Sequence, residues 1–313
     1  MTSRPPYACP LDGSEVEGES ELRCAAQHIF PVRDRIPRFA GDAYSSAFGA
    51  QWQAFRRTQL DSHTGLPISA DRARRCLGPA WNELTGAQVL ECGCGAGRFT
   101  EVLLERGADV ASVDLSTAVD ANQENFPQNE HHRVAQADIR RLPFPPGSFD
   151  IVFCLGVIQH TPDPEASIEA LYGRVRPGGW LVIDHYSRRL QWLLSTAPAF
   201  RAVLKRLPDE RGLAATERLV RTLLPLHRRA RGPAAALLRR VSPVQTYFDK
   251  LPLGDGDQYE WAVLDTHDAL RDWFKHFRTP MQIESTLCGL GLVDIWVATG
   301  GNGVEARGRR PEA

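Results

Sequence analysis

The sequence predicts an α/β protein built around a mostly parallel sheet, and three observations carry that reading. From Gln88 onward, short apolar runs alternate with stretches whose apolar residues recur at helical spacing. The first run leads directly into a glycine-rich loop, Gly93-Cys94-Gly95-Ala96-Gly97, and then into a helix start. The second and third runs end at acids, Asp114 and Asp138, where the strands of such a sheet present side chains to a ligand.

Strands are expected at 89–91, 110–114, 133–137, 150–155 and 180–184. Phe99, Val102 and Leu103 make one helical stripe between them, and Ile168, Leu171, Tyr172 and Val175 another. Pro177, Gly178 and Gly179 are expected to stop that second helix and turn the chain into the fifth strand. The sets Phe200, Val203, Leu204, Leu207 and Leu219, Val220, Leu223, Leu224 then break the alternation and imply a helical insertion after the fifth strand. The sheet resumes with a helix carrying Ile283, Leu287 and Leu290, a strand over 293–298 and a last strand over 303–307. These changes of texture divide the chain into a Cys/His module at 1–40, a helical connecting or lid segment at 41–80, the core at 81–188, the insertion at 189–248, and a closing segment at 249–313.

The chain has 313 residues, with 37 Lys plus Arg against 38 Asp plus Glu, so no global field draws it to nucleic acid or an anionic membrane. The longest apolar run, Ile151 to Ile158, is too short to span a bilayer, and Met1 to Pro10 lacks the apolar stretch of a secretory signal. A cytoplasmic location is the expectation. Seven scattered cysteines read as reduced thiols, with one candidate metal cluster near the start. Between Arg201 and Arg240 there are eleven Lys or Arg against three acids. A solvated helical face and an anion-binding surface both explain that bias.

The loop glycines let the backbone turn sharply and approach a ligand, and the following helix offers free N–H groups. Asp114, 21 residues after Gly93, is placed to accept hydrogen bonds from both hydroxyls of a ribose. The dinucleotide fingerprint G-x-G-x-x-G/A is not met, because position 98 is Arg and the third glycine is Gly97. Glu91, just before the first glycine, suits a ligand with a cationic amino group, such as the sulfonium nucleoside S-adenosylmethionine (SAM).

The core resembles the class I SAM-dependent methyltransferases. Five motif regions carry the likeness: the segment Glu91 to Gly97, then Val113-Asp114-Leu115-Ser116, then Ala137-Asp138-Ile139 with Leu142-Pro143-Phe144, then Ser148 to Val152, and Arg176-Pro177-Gly178-Gly179. The resemblance implies a seven-stranded, mostly parallel Rossmann-like sheet with one antiparallel strand near its edge. It also implies that Glu91, Gly93 and Gly95 line the methionine part of SAM, Asp114 with Leu115 the ribose, and Asp138 with Ile139 the adenine. Leu155 to Gln159 would form the floor beneath the reactive methyl. Tyr44, with Phe48 and Trp52, either closes over the nucleoside as a lid or packs on the sheet's flank.

Methyl transfer is an in-line displacement that rewards alignment and exclusion of water. A hydroxyl acceptor also needs a base, for which His160 and His185 are candidates, and Tyr186 can orient the acceptor. His160 can equally be a wall residue of a loop common in the family. Asp265-Thr266-His267-Asp268, between Trp261 and Trp273, is a further polar patch that loop capping explains equally well.

Near the start, Cys9, Asp12, Cys24 and His28 have the outline of a two-knuckle zinc site. The segment resembles zinc-ribbon modules attached to some methyltransferases, including ribosomal RNA guanine methyltransferases. Asp12 stands where the usual pattern has cysteine. One structural zinc and a ribbon that has lost its metal are both open.

The leading functional expectation is methylation of a small molecule or natural-product intermediate, releasing S-adenosylhomocysteine (SAH). Three alternatives stand beside it: methylation of RNA held by the basic insertion, cyclisation or cleavage of SAM to methylthioadenosine, and a non-catalytic nucleoside-binding module. Oligomeric state is not legible.

Overall fold

The computed structural model describes residues 4–41, 45–187 and 196–312. Eleven described strands form two sheets. The first is antiparallel, in the order β1 (Val16–Glu17), β2 (Glu21–Cys24), β3 (Ile29–Arg33) and β4 (Ile36–Pro37). The second has seven strands: β5 (Gln88–Cys92), β6 (Asp109–Asp114), β7 (His132–Gln136), β8 (Phe149–Cys154), β9 (Val175–Tyr186), β10 (Val293–Gly300) and β11 (Gly303–Arg309). Its spatial order is β10-β11-β9-β8-β5-β6-β7. β11 runs antiparallel to both neighbours and the remaining pairs are parallel, so the expected sheet is present, with its antiparallel strand beside the edge.

Both faces of this sheet are covered, which is why its central strands read as continuous apolar runs. Alternate residues serve two cores. Leu90, Cys92, Val152, Cys154, Leu181 and Ile183 belong to one, and Val89, Ile151, Phe153, Trp180 and Val182 to the other. The expected stripe of Phe99, Val102 and Leu103 lies on α4 (Arg98–Glu105) and packs into the second core.

The segment expected as one helical connector is three short helices, α1 (Ser46–Ala54), α2 (Asp61–Thr64) and α3 (Ile68–Leu77). Gly65 at +68° ends α2 and Pro67 precedes α3, so the chain turns rather than running straight. α5 (Ala118–Asn125) and α6 (Pro164–Tyr172) complete the crossovers. The Pro177-Gly178-Gly179 turn expected to precede the fifth strand lies inside β9 instead. Pairing with β8 jumps there from Phe149–Val175 to Ile151–Trp180. A Cβ on Gly179 would lie 2.6 Å from the Asp150 carbonyl oxygen, so the glycine permits the close approach of a bulge.

After β9 come α7 (Ala197–Leu204), α8 (Asp209–Arg229), α9 (Gly232–Val241) and α10 (Asp255–Arg271). The helical region thus runs past the expected limit of 248, because α10 packs on α8 through Val220, Leu224, Ala262 and Val263. α11 (Pro280–Gly289), opened by a Thr279 and Gln282 capping box, returns the chain to the sheet. Among the described residues no helix is long and apolar enough to cross a membrane.

The N-terminal sheet docks on the exposed side of β7. The Phe39 N–H donates to the Gln136 carbonyl at 2.8 Å, and the Ala8 N–H to that of Pro143 at 2.9 Å. The Tyr7 ring stacks 5.4 Å from Phe144, and the Arg133 guanidinium sits 4.7 Å over Tyr7 and 4.9 Å over Phe144. The edge strand is therefore paired and covered. Phe144 is buried and joins the two sheets. Phe144→Ala should lower unfolding free energy by about 3–5 kcal/mol, read as a lower urea midpoint, with the N-terminal sheet becoming protease-sensitive first.

Candidate functional site

A cavity of about 1140 Å³ opens at the C-terminal ends of β5, β6, β8 and β9, where open α/β sheets bind ligands. Its floor begins at the glycine loop. Gly93, Gly95 and Gly97 have φ of +74°, +51° and +101°, values that side chains disfavour. The N–H groups of Gly93 and Cys94 both donate to the Val113 carbonyl, at 2.7 and 3.0 Å, which holds the loop against the end of β6.

Asp114 closes the other side of that turn. One carboxylate oxygen accepts the Gly95 N–H at 3.0 Å, and the other accepts the Ser116 N–H at 2.8 Å and its hydroxyl at 2.7 Å. Burial raises the Asp114 pKa against those donors. Leu115, Asp138, Ile139 and Leu155 also line the cavity. Asp138 accepts the Arg140 N–H at 2.9 Å and pairs with its guanidinium at 2.6 Å.

Two expected residues are placed elsewhere. Glu91 shares the sheet face covered by α4, and its carboxylate accepts hydroxyl hydrogens from Thr100 at 2.5 Å and Ser112 at 2.9 Å, outside the cavity lining. Its other oxygen, Oε1, is buried with no hydrogen-bond partner among the described residues. Strand alternation puts residue 91 on the face of Val89, against α4, rather than on that of Leu90 and Cys92. The same alternation separates His185 from Tyr186. Tyr186 lines the cavity, whereas His185 is buried outside it, 3.1 Å from the Tyr186 carbonyl, with its pKa lowered to about 4 by burial. Tyr44 lies outside the described residues; Phe48 and Trp52 line the cavity, and Trp52 lies over Gly95, 3.1 Å from where a Cβ would stand.

The remaining candidate, His160, ends a short helical turn, Ile158–His160. Its Nδ1 is 3.1 Å from Asp272 and its Nε2 is 3.8 Å from Asp268. The Tyr186 hydroxyl donates to Asp268 at 3.2 Å, and its ring meets the imidazole edge-on at 5.2 Å. Asp272 also pairs with Arg201 at 2.7 Å and Lys275 at 3.0 Å. Burial alone would lower the His160 pKa, but Asp268 and Asp272 outweigh it and hold it above the ordinary histidine range.

Asp268, Asp265, Tyr247, Lys275 and Arg98 also line the cavity. Asp265 and Asp268 lie within α10 rather than in a loop. Their i, i+3 spacing was the available signal, since it puts both carboxylates on one helical face. His267 between them points away, 3.3 Å from the Thr216 hydroxyl. Arg98, Tyr247, Asp272 and Lys275 belong to no motif. Of the eleven basic residues of the insertion, Arg201 is drawn into this site and Arg228 pairs with Asp255 at 2.8 Å.

In the N-terminal sheet, Cys9, Asp12, Cys24 and His28 present donor atoms within 4.8 Å of one another. His28 Nδ1 is 3.4 Å from Cys9 Sγ, 3.3 Å from Cys24 Sγ and 3.1 Å from Asp12 Oδ2, and Cys24 Sγ is 3.3 Å from Asp12 Oδ2. A regular tetrahedron with edges of about 3.3 Å has its centre about 2.0 Å from each corner, the reach of zinc–nitrogen and zinc–oxygen bonds. Two sulfurs, an oxygen and a nitrogen are a donor set that fits zinc.

Residues 90–183 match a family model described as "Methyltransferase domain". Among curated proteins, the ubiquinone biosynthesis O-methyltransferase of Leptothrix cholodnii is 31% identical over 130 residues, covering 40% of this chain and 55% of that protein. The enzyme of the same name from Cupriavidus pinatubonensis is 32% identical over 131 residues, covering 40% and 51%. The chain thus spans about half the length of the curated relatives it matches. Among solved structures, a magnesium protoporphyrin IX methyltransferase from Synechocystis with bound SAH is 15% identical with a TM-score of 0.46, covering 87% of this chain and 97% of that one. Residues 90–183 of this chain thus correspond to a methyltransferase domain.

Proposed function

We propose that this protein transfers a methyl group from SAM to a hydroxyl oxygen of a small molecule, with His160 as the general base. The observation that carries the reading is the His160 imidazole on the cavity wall, with Asp272 against Nδ1 and Asp268 beyond Nε2. Asp272 orients the ring and stabilises its protonated form, as an acid does in any carboxylate–imidazole pair. The names of the curated O-methyltransferase relatives agree with an oxygen acceptor.

When bound, SAM supplies a methyl carbon activated by the adjacent sulfonium, and SAH is the leaving product. Asp114 receives the ribose hydroxyls, while Asp138 and Ile139 border the adenine. Phe48 and Trp52 cover the loop and exclude water. Tyr186, held by Asp268, positions the acceptor beside His160, whose Nε2 takes the hydroxyl proton as oxygen attacks. Tyr186 and Phe277 give the acceptor half of the cavity aromatic walls, which suits a flat, partly apolar acceptor. The N-terminal cluster holds one structural zinc that fixes the small sheet against β7.

The nucleoside site is tested by titrating wild type and Asp114→Ala with SAH by calorimetry. Loss of two ribose hydrogen bonds to a charged acceptor, worth about 1.5–3 kcal/mol each, should weaken binding at least about tenfold overall. No SAH binding to folded wild type would sink the reading.

His160→Gln should lower kcat/KM toward a phenolic acceptor by about 10²- to 10⁴-fold with little change in SAH affinity. Because only the neutral imidazole accepts a proton, wild-type kcat/KM should rise with pH through a midpoint above the ordinary histidine range. Asp272→Asn removes a carboxylate that favours the protonated ring, so that midpoint should move to lower pH. A pH profile identical in wild type and Asp272→Asn would refute the pairing.

Protein expressed with zinc supplied should hold about one zinc per chain by metal analysis, and Cys24→Ser should lose it. Fewer than about one zinc per ten chains in the wild type would refute the metal site.

A further inference from the structure

Arg98 and Asp265 face the cavity with opposite charges and neutral partners. The Arg98 Nε donates to the Ser69 hydroxyl at 2.9 Å and its Nη1 to the Gln59 amide oxygen at 3.1 Å. Its guanidinium lies 5.2 Å from the Phe99 ring centre and 5.3 Å from that of Trp261. Asp265 accepts the Tyr247 hydroxyl hydrogen on one oxygen and the Gln59 amide N–H, at 3.1 Å, on the other. Gln59 therefore bridges a cation and an anion that, among the described residues, form no ion pair of their own.

Both side chains are half-buried at the cavity wall, where a charge without a counter-charge is partly desolvated at a cost. Burial lowers the Arg98 pKa to about 10 and raises that of Asp265 to about 6. The other cavity-lining cations nearby are already engaged: Arg72 pairs with Asp184 and Glu305, Arg75 with Glu305, and Lys275 with Asp272. A zwitterion laid across the Gln59 bridge would supply both missing counter-charges at once. Two hydrogen bonds across an amide group hold the bridged charges no more than about 8 Å apart, a gap that an α-amino acid spans with a contact of about 2.8 Å at each end.

We propose that Arg98 and Asp265 clamp the α-carboxylate and α-ammonium groups of the methionine end of SAM. This rests on the reading that the cavity takes SAM, and it extends that site beyond residues 90–183 to a helix the domain match does not include. Arg98 follows the third loop glycine directly, at the start of α4, whereas Asp138 follows β7. The clamp also supplies the acid that Glu91, turned toward Thr100, does not.

The test titrates the full chain by calorimetry with SAH, with decarboxylated SAH, which keeps only the ammonium group, and with methylthioadenosine, which has neither charge. The read-out is each ligand's affinity relative to methylthioadenosine, a ratio that general loosening of the site leaves unchanged. Arg98→Gln should cut the preference for SAH at least about tenfold while sparing that for decarboxylated SAH. Asp265→Asn should reduce both preferences, and Arg98→Lys should retain part of the first. Unchanged ratios in Arg98→Gln and Asp265→Asn, with SAH still bound by wild type, would overturn the clamp alone. Wild type that binds none of the three ligands would overturn the SAM reading and the clamp with it.

Discussion

At Gly93 the backbone leaves the first core strand so close to Val157 that an added Cβ would stand 2.0 Å from that side chain. The contact ties the nucleoside loop to the turn that follows β8. Val157 immediately precedes the Ile158–His160 turn, so the position of the glycine loop and the position of the imidazole are set by one packing interaction. A second tie runs beneath it: the Gly156 N–H donates to Asp184 at 2.5 Å, and Asp184 in turn is paired with Arg72 of α3. Strand ends, connector helix and candidate base are thus held as one rigid unit, which is what an in-line displacement requires of its scaffold.

Much of this was legible in the sequence because the central strands are buried on both faces and so announce themselves as apolar runs. Gly93, Asp114 and Asp138 were readable for the same reason, since polar and glycine residues at the ends of such runs have few other uses. What failed was the assignment of faces. His185 stands next to cavity-lining Tyr186, yet alternation along the strand sends it to the other side of the sheet, and Glu91 lies before cavity-lining Gly93 with its carboxylate turned to Thr100 and Ser112. A motif fixes which residues are near a turn, not which way the pleat points when the strand begins or ends at a bulge, and β9 has one between its pairs at Val175 and Trp180.

The acceptor half was far less legible, because it is assembled from segments distant in sequence. His160 gains its character from Asp268 and Asp272, more than a hundred positions later, and Asp272 needs Arg201 and Lys275 to remain charged in a buried place. None of these residues has a local pattern that names its partner. The basic bias of the insertion pointed toward an external anion, but one of its members, half-buried Arg201, is paired with the internal carboxylate of Asp272.

Buried Glu91 shows how the same sheet uses a polar group outside the cavity lining. Burial raises its pKa to about 7 despite hydroxyl donors on Thr100 and Ser112. Thr100 also receives the Asn122 amide hydrogen at 2.9 Å, and Ser112 lies 3.2 Å from His132. The result is a polar network behind the loop that joins α4 and α5 to strands β5, β6 and β7. Such a network specifies one arrangement of the layers it crosses, since a shifted helix would strand its members without partners. The acid before the glycine loop thus helps to hold the backbone in place, while the charged side chains Arg98 and Asp265 reach the cavity from α4 and α10.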